Sequence, residues 1–208
     1  MEKKKASIKI SVGSLYYAKN NPTESGEFNP GDYDTTVNSP VIKSVNITPN
    51  EESVVVRASG QDYDTISQSS GPEIEVEVVA FDPTDLAMMK ADTKDNTGLM
   101  LSGRPAQRPF VAIGFPRIKN DGKVSYEWYP KCKLVENSDE ISTKEESFSE
   151  QNDTVKFKAY AFNDAGDYKT YVDNEMSTFP EGLTEEKFFT KPILSGGDLT
   201  TAISIQEG

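Results

Sequence analysis

The sequence predicts an all-β protein carrying one short helix, and three observations predict it. Apolar residues alternate with polar ones through Val124, Tyr126, Trp128, Cys132 and Leu134, and again through Val155, Phe157, Ala159 and Ala161. A period of two marks a half-buried strand. Asn120-Asp121-Gly122 lies between two such runs, and Asp-Gly supplies the positive φ values of a tight hairpin turn. One stretch, Leu86 to Ala91 behind Pro83, joins a helix-start signal to good helix formers.

In order along the chain, Ile8, Ile10 and Val12 mark a first strand running towards Tyr16-Tyr17. Asn20 to Pro40 is polar and broken by prolines and glycines, which is long for a structureless connection inside a compact domain. Strands follow at Val41–Thr48 and Ser53–Ser59, joined through Pro49-Asn50, and the Ser/Gly-rich stretch Gly60 to Pro72 reads as a separator. In the strand Glu73–Phe81, Glu73, Glu75 and Glu77 alternate with Ile74, Val76 and Val78, so one face carries a row of carboxylates. Thr84 or Asp85 is the expected cap of the helix, which must lie on the sheet to be stable. A loop from Asp92 to Arg108 leads into the hairpin, whose alternation Pro130 interrupts. Proline lacks the N–H a ladder needs, so an edge strand or a bulge is expected there. A weaker strand covers Tyr168–Val172, Thr184 to Phe189 forms a helical turn, and a polar arm follows.

At 208 residues the chain reads as a single domain, 1–208, with a long loop over about 18–40 and a carboxyl-terminal arm over about 190–208. No apolar run approaches the roughly 20 residues of a membrane helix. Met1-Glu2-Lys3-Lys4-Lys5 is followed by no apolar segment, so a solvated end and cytoplasmic synthesis are expected rather than a signal peptide. Cys132 is the sole cysteine, its alternating position places it in the core, and no intrachain disulfide can form. The chain has no histidine, which removes the commonest general base and zinc ligand. With no nucleophile constellation either, no catalytic residue, cofactor or metal is expected. The net charge of −12 opposes tight binding to nucleic-acid phosphates and to anionic membranes.

Each remaining motif has a plainer reading beside its functional one. Asp-Tyr-Asp-Thr occurs at Asp32–Thr35 and Asp62–Thr65, with Glu73 spaced as a closing carboxylate, yet Ile66 and Ser67 stand where a calcium loop needs a ligand and a glycine. Turn chemistry is the expectation. Asn46-Ile47-Thr48 and Asn152-Asp153-Thr154 are chance glycosylation matches. Ser195-Gly196-Gly197 lacks the lysine of a phosphate loop. Tyr126, Trp128 and Tyr129 suit a sugar-stacking platform, but two of them share the apolar parity and suit a core better. The row Glu73, Glu75, Glu77 is either an acidic lining or an ion-pair ladder with Lys156 and Lys158.

Val111-Ala112-Ile113-Gly114-Phe115 with Arg117, then Asp121-Gly122 and Tyr126-Glu127-Trp128-Tyr129-Pro130-Lys131, resembles the major tail proteins of long noncontractile-tailed phages of Gram-positive bacteria. Met100 to Pro109 fits as the lead-in, and Ser142-Thr143-Lys144-Glu145, Phe148 and Val155-Lys156-Phe157 continue the pattern. The resemblance implies a β-sandwich or partial barrel with a helix on one side. It implies hexameric rings that stack into a tail tube, the conduit for DNA ejection, in a virion. Its partners would then be copies of itself, the tape measure and terminator proteins, and DNA in transient passage, with no membrane. The loop Asn20–Pro40 and the arm Leu194–Gly208 are then expected to join stacked rings, and Glu73, Glu75 and Glu77 to face the lumen. An acidic wall repels a duplex bearing one charge per ~1.7 Å, over roughly 8 Å at physiological salt. The competing expectation is a soluble β-sandwich binding module, with carbohydrate at the Trp128 region.

Overall fold

In the computed structural model, which describes residues 5–58, 61–69, 71–103, 108–139 and 152–204, the Asp-Gly turn forms as its chemistry requires. Asp121 and Gly122 have φ of 60° and 68°, and the Lys123 amide donates to Asn120 O at 3.3 Å. The twist of this two-residue turn matches that of the strands it joins.

The strands are β1 (Lys9–Val12), β2 (Leu15–Lys19), β3 (Val37–Ser39), β4 (Ile42–Thr48), β5 (Glu51–Ala58), β6 (Gln61–Ser69) and β7 (Glu73–Val78). After helix α1 (Pro83–Lys90) come β8 (Thr93–Lys94), β9 (Met100–Leu101), β10 (Val111–Lys119), β11 (Val124–Asp139), β12 (Asp153–Ala159) and β13 (Thr170–Asp173). Helices α2 (Glu185–Phe188) and α3 (Gly196–Ser204) end the described chain. The resulting fold is all-β with short helices. Its main sheet is nine-stranded and runs β3-β2-β10-β11-β12-β7-β4, with β1 also on β10 and β13 also on β11. Among the described residues β5 and β6 pair only with each other, as do β8 and β9. The Ser/Gly-rich stretch is therefore largely strand β6 and not a separator. The expected loop after α1 contains the small β8–β9 hairpin.

β11 is the spine of the molecule, and Pro130 divides it. Val111 faces Cys132 while Ile113 faces Tyr129, so an extra residue is inserted on β11 between them. The bulge lies where the far side of β11 changes partner, from β13 at Ser125–Trp128 to β12 at Cys132–Asp139. Pro130 thus sits in a central strand at the gap between two partners, where no ladder donor is demanded. The bulge also reverses the faces. Tyr126 and Trp128 join one apolar cluster, whereas Tyr129, Cys132 and Leu134 join another. The single apolar parity read from the sequence is therefore two faces of one strand.

The first cluster is enclosed by the curl of β1, β10, β11, β12, β7 and β4, with Phe115, Tyr129, Ile74 and Phe157 at 0–1% exposure. Helix α1 closes it through Met89, with Leu86 and Met88 partly buried. Asp82 caps that helix, accepting from the Thr84 and Asp85 amides at 2.8 and 3.2 Å, and Pro83 stands inside the first turn. The cap is thus two residues ahead of Thr84, because proline at the first helical position has no N–H to leave unmet. The second cluster lies on the opposite face of β2, β10 and β11, where Tyr16, Ala112, Tyr126 and Trp128 are covered by Leu183, Phe188, Phe189, Ile193 and Ala202.

That cover corrects the reading of the carboxyl-terminal arm. Ser195 and Asp198 cap α3 reciprocally: the Asp198 amide donates to Ser195 Oγ at 3.2 Å, and the Ser195 amide donates to Asp198 Oδ2 at 2.9 Å. Leu199, Ala202 and Ile203 then fall on one helical face and pack on the second cluster. Residues 196–204 are therefore a docked helix. Met1–Lys4, Ser59-Gly60, 104–107 of the Met100-to-Pro109 lead-in, the family-like Ser142-Thr143-Lys144-Glu145 and Phe148, and 205–208 of the arm lie outside the described residues.

Candidate assembly surfaces

The sheet leaves its edges open. Among the described residues, β4 has no strand on its outer side, and β1 faces it across a cleft of about 380 Å³. Val12, Val45, Ile47 and Phe115 give the cleft an apolar floor, with Lys9 and Arg117 at the rim. The barrel is therefore incomplete between β1 and β4. Beside this seam Ile8 and Ile10 are 63% and 64% exposed.

The carboxylate row stands on the outward face of β7, between β4 and β12. Glu73 lies opposite Lys158, and Glu75 opposite Lys156, whose Nζ is 3.5 Å from Glu75 Oε2. Ser44 Oγ donates to Glu77 Oε2 at 3.0 Å, and Asn152 Nδ2 donates to Glu77 Oε1 at 2.9 Å. Of the cross-strand ladder expected with Lys156 and Lys158, the Glu75–Lys156 pair forms, while Glu73 and Lys158 stand opposite in register. Lys156 offsets part of its negative charge.

Two ion clusters, one buried and one at the surface, both missed in the sequence, hold the 169–175 segment to the sheet. Glu127 is 2% exposed beside Phe115 and Tyr129, with Arg117 at 2.6 Å and Lys169 at 3.6 Å. Burial pushes its carboxyl pKa up, against the opposing pull of the two cations. Lys119 donates to Asp173 Oδ2 at 2.5 Å and to Glu175 Oε2 at 2.7 Å. The other Glu175 oxygen accepts from the Ser7 amide at 3.1 Å and hydroxyl at 2.7 Å. Glu127 reads as one more polar residue on an alternating strand, so only its distant partners reveal it.

The Lys119 and Ser7 hydrogen bonds hold the Glu175 carboxyl down to about 2. A folded-state value below the unfolded one means that this stabilisation is complete above the unfolded pKa of about 4.3 and is lost as pH falls towards the folded value. Protection of the Ser7 amide from hydrogen exchange is therefore expected to fall between about pH 4.5 and 2, with Glu175→Gln flattening the profile. A Ser7 amide equally protected across that range would show that the clip does not depend on this charge.

The long loop is tied down rather than loose. Asn20, 1% exposed, donates from Nδ2 to Asn29 O and Asp32 O, both at 2.8 Å, and accepts from the Asn29 amide at 3.1 Å. One amide side chain thus stands in for a strand partner and closes the loop. Tyr33 donates to Pro130 O at 2.9 Å, which satisfies a carbonyl at the bulge. Asp32 accepts from Asn21 and Asn29, so the first Asp-Tyr-Asp-Thr is turn chemistry, and the second lies within strand β6. Among the described residues no group of acidic or cysteine side chains is placed to hold a metal ion.

The proposed aromatic platform is absent: Tyr126, Trp128 and Tyr129 are 7%, 0% and 1% exposed. Cys132 is fully buried, and burial pushes its thiol pKa up. Accessible aromatic surface lies elsewhere. Phe28, Phe110 and Tyr160 form an edge-to-face series with centroids 5.7 and 6.1 Å apart. Lys131 Nζ lies 4.9 Å from the Phe28 ring and 5.3 Å from the Phe110 ring, and Lys133 Nζ lies 4.3 Å from the Phe110 ring.

No protein-family model matches the sequence, and no curated protein matches it. Among solved structures, a chain of the cryo-EM structure of the anti-feeding prophage (AFP) baseplate, 6-fold symmetrised, is similar at 9% sequence identity and a TM-score of 0.44. The likeness covers 85% of this chain and 100% of that chain. A likeness of that size carries no argument about role.

Proposed function

We propose that this chain is a structural, non-enzymatic subunit of a phage tail. Copies associate into hexameric rings, and the rings stack into the tube that conducts DNA during ejection. The observation that carries this reading is the open seam: β1 and β4 face each other unpaired, beside two isoleucines about two-thirds exposed. An edge of this kind is hazardous on a free monomer, and a closed ring covers it with neighbouring copies. The sequence resemblance of the 109–162 region to major tail proteins supports the same reading. Rings capped by terminator and tape measure proteins complete the assembly.

In this reading Glu73, Glu75 and Glu77 line the lumen. Because Lys156 and Lys158 lie alongside them, their contribution is a hydrated, weakly charged wall, and the net charge of −12 supplies the broader repulsion of DNA. The Trp128 region through which the alternative binding module would act is buried.

Negative-stain microscopy of the purified full chain tests the proposal. Rings or tubes are expected at micromolar concentration. A monodisperse monomer at every concentration, unchanged by added tail proteins, would overturn it.

A further inference from the structure

A groove and a projecting tip on this chain complement each other without touching. The groove, about 510 Å³, runs between the 25–30 loop and the 161–164 turn, with Phe28, Phe110 and Phe162 in its wall. Lys131 Nζ stands 4.9 Å from the Phe28 ring, and Lys133 Nζ 4.3 Å from the Phe110 ring. Among the described residues neither ammonium has a carboxylate partner, in a chain whose net charge is −12. Rings beside unpaired cations fit a ligand that joins apolar surface to a carboxylate.

The tip of the β8–β9 hairpin has that chemistry. The Asp95 amide donates to Leu99 O at 3.0 Å. Asp95 Oδ1 accepts from the Thr97 amide at 2.8 Å, the Thr97 hydroxyl at 2.7 Å and the Leu99 amide at 2.9 Å. These bonds fix the turn, so docking it costs little further ordering. The fixed turn nevertheless leaves Leu99 59% and Met100 47% exposed. Two strands of two residues each have no core of their own, and cover from outside stabilises them. Leucine and a methionine thioether suit an aromatic wall, and Asp95 stands directly beside them.

The chain's own tip does not fill its own groove. The Asp92 amide donates to Ala87 O at 2.9 Å, which ties β8 to the end of α1, and Met89 seats α1 in the first cluster. Leu99 and Met100 do not line the groove of their own chain. The match is therefore one between copies. Tip and groove are different surfaces, so the contact repeats head to tail, closing into a ring or growing as a filament.

We propose that the β8–β9 tip of one copy docks in this groove of a second copy, with Leu99 and Met100 against Phe28 and Phe110 and Asp95 towards Lys131. This contact rests on the self-assembly proposed above and names one interface within it.

The test is disulfide crosslinking of the full chain. Ser25 lines the groove and Leu99 marks the tip, both exposed, while the native Cys132 is fully buried and does not compete. Under mild oxidation S25C/L99C is expected to give a ladder of linked oligomers on non-reducing gels, and a mixture of S25C and L99C chains their heterodimer. Adding K131E/K133E is expected to lower the linked yield at least fivefold, with circular dichroism confirming the fold of each variant. An absent crosslink, a disulfide closed within one chain, or a yield unchanged by K131E/K133E overturns the inference. So does an equal ladder from S11C/L99C, because Ser11 lies in the β1–β4 cleft instead. If rings form while the crosslink does not, only this contact falls. If the crosslink forms in a chain that never makes rings or tubes, the contact stands and the tail-tube reading falls.

Discussion

Trp128→Ala is expected to lower the free energy of unfolding by about 3–5 kcal/mol, the range for truncating a large buried aromatic. Trp128 has 0% exposure and stands on Gly114, its cross-strand partner on β10. Its ring meets Phe189 edge to face at 5.3 Å, and its Nε1 donates to Phe188 O at 3.2 Å. Those two phenylalanines are the means by which α2 holds to the sheet. Removing the indole leaves a cavity under that helix and a buried carbonyl without its donor. Trp128→Phe keeps most of the volume but not the donor, so a loss of about 1–3 kcal/mol is expected. Urea denaturation of both variants gives the comparison. A loss below about 1 kcal/mol for the alanine variant would show that the helical layer is held by something else.

The second large effect is expected at Gly71, which is buried with φ of +78°. A Cβ there would lie 2.2 Å from Ala159 O and 3.0 Å from its carbonyl carbon. Both are backbone atoms at the end of β12, where the Ala159 amide donates to Pro72 O at 3.0 Å. Gly71→Ala therefore combines left-handed backbone, about 1–2 kcal/mol, with an overlap that no rotamer relieves, about 1–3 kcal/mol more. Gly31 isolates the first part: its φ is +83°, and nothing lies within 4 Å of its Cβ position. Gly31→Ala is expected to cost only the backbone share. Equal losses for the two variants would show that the contact with Ala159 relaxes freely.

Much of the fold was legible because its signals are local. The Asp-Gly turn, the β12 alternation and the β7 row each depend on neighbours within a few residues, and each is found in place, though β12 ends at Ala159, short of Ala161, and β7 at Val78, short of Phe81. Pro130 signalled a bulge correctly, but alternation alone does not reveal that a bulge exchanges the two faces of a strand. The β10 run Val111–Pro116 is buried throughout because both its faces are covered, which removes the polar parity that alternation relies on. Helix α3 did carry a signal, Ser195 with Asp198 followed by Leu199, Ala202 and Ile203, though two glycines at its start make the stretch read as loop.

The candidate surfaces were less legible, and the reason is distance along the chain. Lys156 and Lys158 were identified as partners of the β7 row, since alternating charges on strands predict a ladder. Nothing local connects Glu127 to Lys169, or Ser7 to Glu175. Phe28 and Phe110 are 82 residues apart, and only the closing of the long loop around Asn20 brings them together over Lys131.

The face exchange at Pro130 also bears on how the molecule comes apart. One continuous backbone supplies Trp128 to the helical layer and Tyr129 to the interior of the curl, adjacent residues in different cores. Loss of either core withdraws support from the same strand, so a single melting transition is expected. The protein is expected to unfold as one cooperative unit, and agreement of the calorimetric and van't Hoff enthalpies checks it.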